Sequence, residues 1–262
     1  MMVTDPEYQN HPVFSELDRH ITFYKQLAQS VFSWVSLGTG AACNIDSYVF
    51  SSIQGTLTSI RAILRDGRIN DAYALLRKYY DSAIINIYSN LYLQDHFSVE
   101  NFVVKQIDNW RKGKTRLPEY RIMAQYIRSS SRVTPITAVL FADDRYKRLR
   151  DRCNDHTHYN FYRNVLLNDS EIALPGRGLA LDQFSTDARD VLILHVAYLF
   201  CANGHYMMSS DYRDSIECGM IPEPDSQYWV APFVQDVFDQ TVAKHRPDVA
   251  ATIREHTSMH LA

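Results

Sequence analysis

Between Ile69 and Leu91, seven apolar side chains (Ile69, Tyr73, Leu76, Tyr80, Ile84, Ile87 and Leu91) recur at spacings of 4, 3, 4, 4, 3 and 4. An α-helix brings positions with this spacing onto one face, whereas a strand would scatter them over both. The stripe predicts a helix of about six turns at 3.6 residues each. An apolar stripe that long must be covered along its length by other elements, so the chain has to be built by packing helices around it. Asn70 or Asp71 suits its N-terminal cap. Arg77 and Asp81 lie four apart on one face and suit a helix-surface ion pair.

The same period returns on both sides. Leu17, Ile21, Tyr24, Leu27, Val31 and Val35 predict a helix from Phe14 that ends at Gly38-Thr39-Gly40. Val49, Ile53, Leu57, Ile60 and Leu64 predict a second, starting near Asn44 to Ser47 and stopping at Asp66-Gly67. Shorter helices are expected over 99–110, 119–128 and 135–141, and another from Asp143, with Asp143 and Asp144 at the positive end of its dipole. A long helix is expected from Thr186 to about Ser209. Residues 1–13, broken by Pro6 and Pro12, read as a loose lead-in, and residues 221–262 as a C-terminal helical extension with helices over 233–244 and 247–255. Turn residues Asn168-Asp169-Ser170 and Pro175-Gly176-Arg177-Gly178 predict a small β-hairpin or irregular loop around 168–182. Only nine Gly and nine Pro occur in 262 residues, which points away from a turn-rich sandwich. The expectation is an all-α multi-helix bundle forming one domain over 1–262, with that β excursion.

Hydrophobic content of 46% against 22% charged residues allows a sizeable core. Cys43, Cys153, Cys201 and Cys218 are widely spaced and read as reduced thiols. Met1 to Pro12 carries no basic, apolar leader, and the longest apolar run, Val191 to Ala202, is short and interrupted by His195. A cytoplasmic protein with no membrane contact is expected. Charge is unevenly spread: Lys105 to Arg163 holds fourteen Lys and Arg against six Asp and Glu, or +8, in a chain of net −3, so the remainder carries −11. A basic middle in an acidic chain suits a polyanionic partner, or else a solvated helical surface laced with ion pairs.

That basic segment closes on Arg150-Asp151-Arg152-Cys153-Asn154-Asp155-His156-Thr157-His158-Tyr159-Asn160. On a helix Arg152 and His156 share a face, as do Asn154 and His158, and Arg150 and Asn154. Two registers, Arg150 to His156 and Arg152 to His158, place five residues between an arginine and a histidine. Cleaving RNA without a metal needs a proton taken from the 2′-hydroxyl, a proton given to the 5′-oxygen, and positive charge on the phosphorane. Histidine titrates near neutrality and suits the proton steps. Arginine offers a charged planar fork for the phosphoryl oxygens. Asn154 could orient a histidine or the substrate. Products would be a 2′,3′-cyclic phosphate and a 5′-hydroxyl. Arg152, Asn154 and His158 form the leading set and Arg150 with His156 the alternative pair; Lys147, Arg148, Tyr159 and Arg163 are candidate RNA contacts. Tyr146, Tyr159, Phe161 and Tyr162 flank the stretch and suit stacking on unpaired bases, or the core.

An arginine, five residues and a histidine on a helix of an all-α chain resembles the defining motif of the HEPN superfamily. Arg150-Asp151, with a polar residue after the arginine, fits one end of that motif, and His158-Tyr159 resembles the other. Gly67 to Asp81 resembles, more loosely, a helix of bacterial HEPN-like proteins of the abortive-infection type. Together with their flanking helices these segments cover about a third of the chain. The resemblance implies RNA cleavage without a cofactor, a homodimer with two motifs facing one another, and a role as toxin or anti-phage defence effector, with an antitoxin or defence-system partner. It also accommodates a non-catalytic module that binds or scaffolds.

A structural alternative has the stretch capping its own helix and burying a histidine against a neighbour. A metal site would draw on Cys153, His156 and His158, with His195 and His205 from another helix. No second ligand pair with regular spacing appears, so no metal is assigned, and His195 on its apolar stripe reads as a hydrogen-bonded core histidine. There is no P-loop, GxGxxG, GxSxG or HExxH. Tyr206-Met207-Met208 and Tyr228-Trp229 are apolar clusters suited to a dimer interface.

Overall fold

The computed structural model describes residues 1–36 and 45–262. Helix α1 (Pro6–Gln9) leads into α2 (Pro12–Ser36), which runs beside α3 (Ile45–Arg65). The stop expected at Gly38–Gly40 lies outside the described residues. Helix α4 (Ile69–His96) starts just past Gly67, whose φ of +84° closes α3. All seven residues of the stripe are buried. Ala72, Tyr79, Ala83, Asn86 and Tyr88, on other faces of α4, are buried too, which makes it the central helix.

Helices α5 (Lys105–Arg111), α6 (Tyr120–Ser129) and α7 (Thr134–Leu140) lead to α8 (Arg145–Thr157) and the short α9 (Tyr162–Leu166). Helix α10 (Arg177–Ala202) is buried at every residue from Val191 to Phe200. Helices α11 (Ser210–Glu217) and α12 (Pro232–Val237), a π-helical segment (Phe238–Ala243) and α13 (Pro247–His256) complete the chain. Helix α4 packs against α3, α6, α8 and α10, so two long helices and the arginine-rich α8 meet on it. One cluster of buried apolar side chains runs from Val3 to Met259. No helix among the described residues is long and apolar enough to cross a membrane.

The bundle is all-α, and the β excursion expected around 168–182 is overturned. No strand occurs among the described residues, where the only bridges are the isolated pairs Met208 with Val230 and Trp229 with His260. Side chains take the backbone groups that a hairpin would have paired. Asp169 Oδ1 accepts from the amides of Glu171 (2.8 Å) and Ile172 (3.2 Å). The fully buried Arg177 donates to the carbonyls of Asp169, Ile172 and Met1. Gly176 adopts φ +78°, and a Cβ there would lie 2.9 Å from Arg163 Nη2, so backbone conformation and space both call for glycine. Arg177 then opens α10 nine residues before the expected start at Thr186, and Leu179 to Leu181 are helical.

Three further segments differ from the reading of the sequence. The opening residues pack: Tyr8 is buried and donates to the Leu64 carbonyl at 2.6 Å, and the Met1 carbonyl receives Arg177. The helix expected over 99–110 begins only at Lys105, because Asn101 turns back and donates to the His96 carbonyl at 2.7 Å, closing α4. Neither Asn70 nor Asp71 caps α4. Asn168, far along the chain, accepts from the Asp71 amide (3.1 Å) and donates to its carboxylate (2.7 Å).

Candidate functional site

Tyr146, Leu149, Cys153 and His156 are the buried residues of α8 and follow a helical stripe laid against α4. The polar residues of the central stretch fall on the two flanks of that stripe. They reach different neighbours, and this sorts the two interleaved registers.

On one flank, Arg77 and Asp81 pair at 3.0 Å on α4, as their spacing predicts. Asp81 also takes Arg150 Nη1 at 3.0 Å, and Arg77 Nη1 donates to Asn154 Oδ1 at 2.5 Å. The Arg150 guanidinium lies 3.2 Å from the centre of the Tyr120 ring. Arg150 and Asn154 therefore sit in a half-buried clamp between α4, α6 and α8.

On the other flank, Arg152 grips Asp187 of α10 with two parallel bonds: Nε to Oδ2 at 2.9 Å, and Nη2 to Oδ1. Asp187 is fully buried and also accepts from Tyr73 (3.0 Å) and Gln183 (3.3 Å). Burial opposes charge on Arg152, but the bonds it donates to Asp187, with that carboxylate's charge, outweigh burial and raise the guanidinium pKa above its ordinary value. The Tyr73 ring lies flat on His156, with centroids 4.0 Å apart and planes 8° from parallel. His156 Nδ1 is 2.8 Å from Asn70 Oδ1. An amide oxygen can only accept, so Nδ1 carries the proton and Nε2 keeps its lone pair. Burial, reinforced by Arg152 and opposed by Asp155, lowers the imidazole pKa to about 4, so His156 is neutral at pH 7.

Arg152 and His156 open onto one cleft of about 390 Å³, with Tyr73 and Gln183 in its wall and Asp155, Phe161, Arg163, Asn164, Leu167, Leu179 and Ala180 completing it. Of the residues singled out from sequence, the cleft gathers Arg152, His156, Phe161 and Arg163. Neither five-residue register shares it: Arg150 belongs to the clamp, and His158 is exposed where its amide closes α8 on the Asn154 carbonyl at 2.9 Å. Tyr159 follows at φ +51° and is half exposed. Lys147 is exposed, and Arg148 is spent on Asp144 four residues away. Tyr146 is core, while Phe161 and Tyr162 are exposed.

Sequence reasoning missed Asn70, Tyr73 and Asp187 as members of the site. Asn70 read as a cap and Tyr73 as plain core. Asp187 did carry a signal: an isolated carboxylate between Phe184, Ala188 and Val191 on a buried stripe needs a cationic partner.

Cys153 and His195, two of the residues weighed for a metal site, are committed to the core. Burial pushes the Cys153 thiol up to about 12, which keeps it protonated and a poor ligand. His195 lies deep in the core, accepting from Tyr24 (2.8 Å) through Nδ1 and donating to Asn86 Oδ1 (2.9 Å) through Nε2. Among the described residues, no group of three or more His, Cys, Asp or Glu is placed to hold an ion.

No family model, curated protein or solved structure matches the chain.

Proposed function

We propose that this protein is a metal-independent endoribonuclease, a toxin or anti-phage effector acting in the cytoplasm, whose arginine and histidine stand one helical turn apart and not at the five-residue spacing of the HEPN motif it resembles. The observation that carries the proposal is the Arg152–His156 cleft, in which a charged guanidinium and a neutral imidazole with a free Nε2 sit one helical turn apart. His156 Nε2 accepts the 2′-hydroxyl proton, and the resulting oxygen attacks phosphorus as the bond to the 5′-oxygen breaks. The 5′-oxygen takes a proton from solvent water as it leaves, a 2′,3′-cyclic phosphate remains, and the His156 imidazolium returns its proton to the hydroxide so formed. Arg152 keeps Nη1 beyond its two bonds to Asp187, and with Arg163 it supplies positive charge to the phosphoryl oxygens. Held by Asp187, the arginine needs no reorganisation as negative charge builds. Two copies with their clefts facing, and an antitoxin or defence partner, belong to this reading.

Purified protein incubated with tRNA and mRNA in EDTA should yield cyclic-phosphate ends. His156→Ala and Arg152→Ala should each abolish cleavage and relieve growth inhibition on expression. Cleavage that survives both substitutions defeats the assignment.

A second reading is a non-catalytic binding module. The observation in its favour is that Arg150 and Arg152 each spend donors on a carboxylate of the same chain. It predicts RNA or protein capture with no cleavage and no toxicity.

A further inference from the structure

Phe161 lines the cleft and Tyr162 follows it in the chain, with 59% and 75% of their surface exposed, beside a half-exposed Tyr159. Large aromatic side chains are ordinarily the first to be buried, and each exposed ring forgoes a substantial apolar gain. The segment carrying them is tied at its base. Asn160 donates its amide to the Asp155 carbonyl (3.0 Å) and its side chain to the Asp155 carboxylate (2.8 Å). Between these anchors Tyr159 holds φ +51°, a conformation that costs a side-chain-bearing residue roughly 1 kcal/mol. The chain thus spends bonds and strain to hold a turn that leaves its aromatics in water. Phe161 lines the cleft together with Arg152 and Arg163.

We infer that Phe161 and Tyr162 form a stacking platform for the unpaired bases of single-stranded RNA, next to phosphates held by Arg152 and Arg163. The inference rests on the RNA reading above and names the class of RNA. Charge identifies the occupant. The platform adjoins the two cationic side chains of the cleft and ends the basic segment of the sequence, so the partner carries regularly spaced negative charge as well as flat apolar faces. A duplex does not meet this description, because its bases are already stacked on one another and its deep groove excludes the rings.

The test is fluorescence anisotropy with a short labelled 2′-O-methyl RNA, which cannot be cleaved by 2′-hydroxyl attack, offered single-stranded and annealed to its complement. The wild-type chain should bind the single strand at least about tenfold more tightly. Phe161→Ala and Tyr162→Ala should each weaken single-strand binding by about tenfold and leave duplex binding unchanged. Phe161→Trp should retain it. Both positions are exposed, and circular dichroism checks that the variants keep their helix content.

Equal affinity for the two RNAs, or alanine variants that bind like wild type, overturns the platform. So does a change in sedimentation on ring removal with RNA binding intact, which marks the face as a protein contact. The cleavage assay separates this inference from the nuclease reading. If wild type cleaves and the ring variants keep its KM, the platform falls and the nuclease stands. If ring removal costs single-strand binding while no variant and no wild-type sample cleaves, the platform stands without the nuclease. Wild type that binds neither RNA ends both.

Discussion

The Tyr73 ring covers His156 face to face at 4.0 Å, and the Tyr73 hydroxyl donates to the same Asp187 carboxylate that holds Arg152. One buried carboxylate on α10 therefore fixes the arginine directly and the histidine through a tyrosine. Removing it should be costly. Asp187→Ala leaves a half-buried guanidinium without its counter-charge and should destabilise the fold by about 3 kcal/mol. Tyr73→Phe loses one hydrogen bond but keeps the stack, and should cost about 1 kcal/mol. Urea unfolding of the two variants against wild type measures both. If the cleft cleaves RNA as proposed, Tyr73→Leu, which removes the flat surface, should lower that cleavage far more than Tyr73→Phe does.

Asn70 sets the proton on His156 Nδ1, and its replacement by aspartate should move the histidine's titration. A carboxylate at 2.8 Å favours the imidazolium, so Asn70→Asp should raise the His156 pKa from about 4 towards neutrality. An NMR titration of the His156 ring reads this directly and needs no activity. In the cleavage assay the acidic limb of the pH profile should move upward with it. A titration unchanged by Asn70→Asp contradicts the assigned hydrogen bond.

Three buried histidines give the fold an acid limit. Burial lowers His20 and His156 to about 4 and His195 to about 3, against an ordinary 6.5. The folded pKa is depressed in each case, so between pH 6.5 and 4 the unfolded chain binds more protons. Stability is then fully present above pH 6.5 and is lost as pH falls, by about 1.4 kcal/mol per pH unit for each histidine. Asp46, raised by burial despite bonds from Tyr206, Asn90 and Asn86, acts in the opposite sense, so a difference measurement is the clean one. Neither ring nitrogen of His20 has a hydrogen-bond partner among the described residues. His20→Leu should raise stability at pH 7 by about 1 kcal/mol and flatten the fall between pH 6.5 and 5 by one proton. Urea unfolding at several pH values decides it.

What the sequence disclosed follows from the range over which each interaction acts. The α4 stripe, the stop at Gly67, the Arg77–Asp81 pair and the core role of His195 all express local periodicity or simple burial, and each appears as read. The hairpin expected at 168–182 does not form: turn residues announce a reversal without saying what takes the backbone groups, and here the distant Met1 carbonyl takes the Leu174 amide, and the buried Arg177 takes the Asp169 and Ile172 carbonyls. The candidate site was half legible. Spacing within α8 placed Arg152 and His156 on one face, but the choice between registers depended on which helix lay against which flank. Asp81 takes Arg150 from α4, and Asp187 takes Arg152 from α10, across separations in sequence that no local pattern encodes.

That division of the two arginines gives a last prediction. Arg163 lines the cleft, exposed, while Arg150 is held between Asp81 and the Tyr120 ring. If RNA lies in the cleft, Arg163→Ala removes one phosphate contact, and the slope of log affinity against log salt should fall by about 0.7 for a single strand. Arg150→Ala should leave that slope unchanged. It loses a partly solvated ion pair and a cation–π contact instead, and should destabilise the fold by about 1 kcal/mol. Anisotropy titrations over a range of potassium chloride, run beside urea unfolding, separate the two effects. A salt slope that falls with Arg150→Ala and not with Arg163→Ala would move the RNA to the α4 flank and away from the Arg152–His156 cleft.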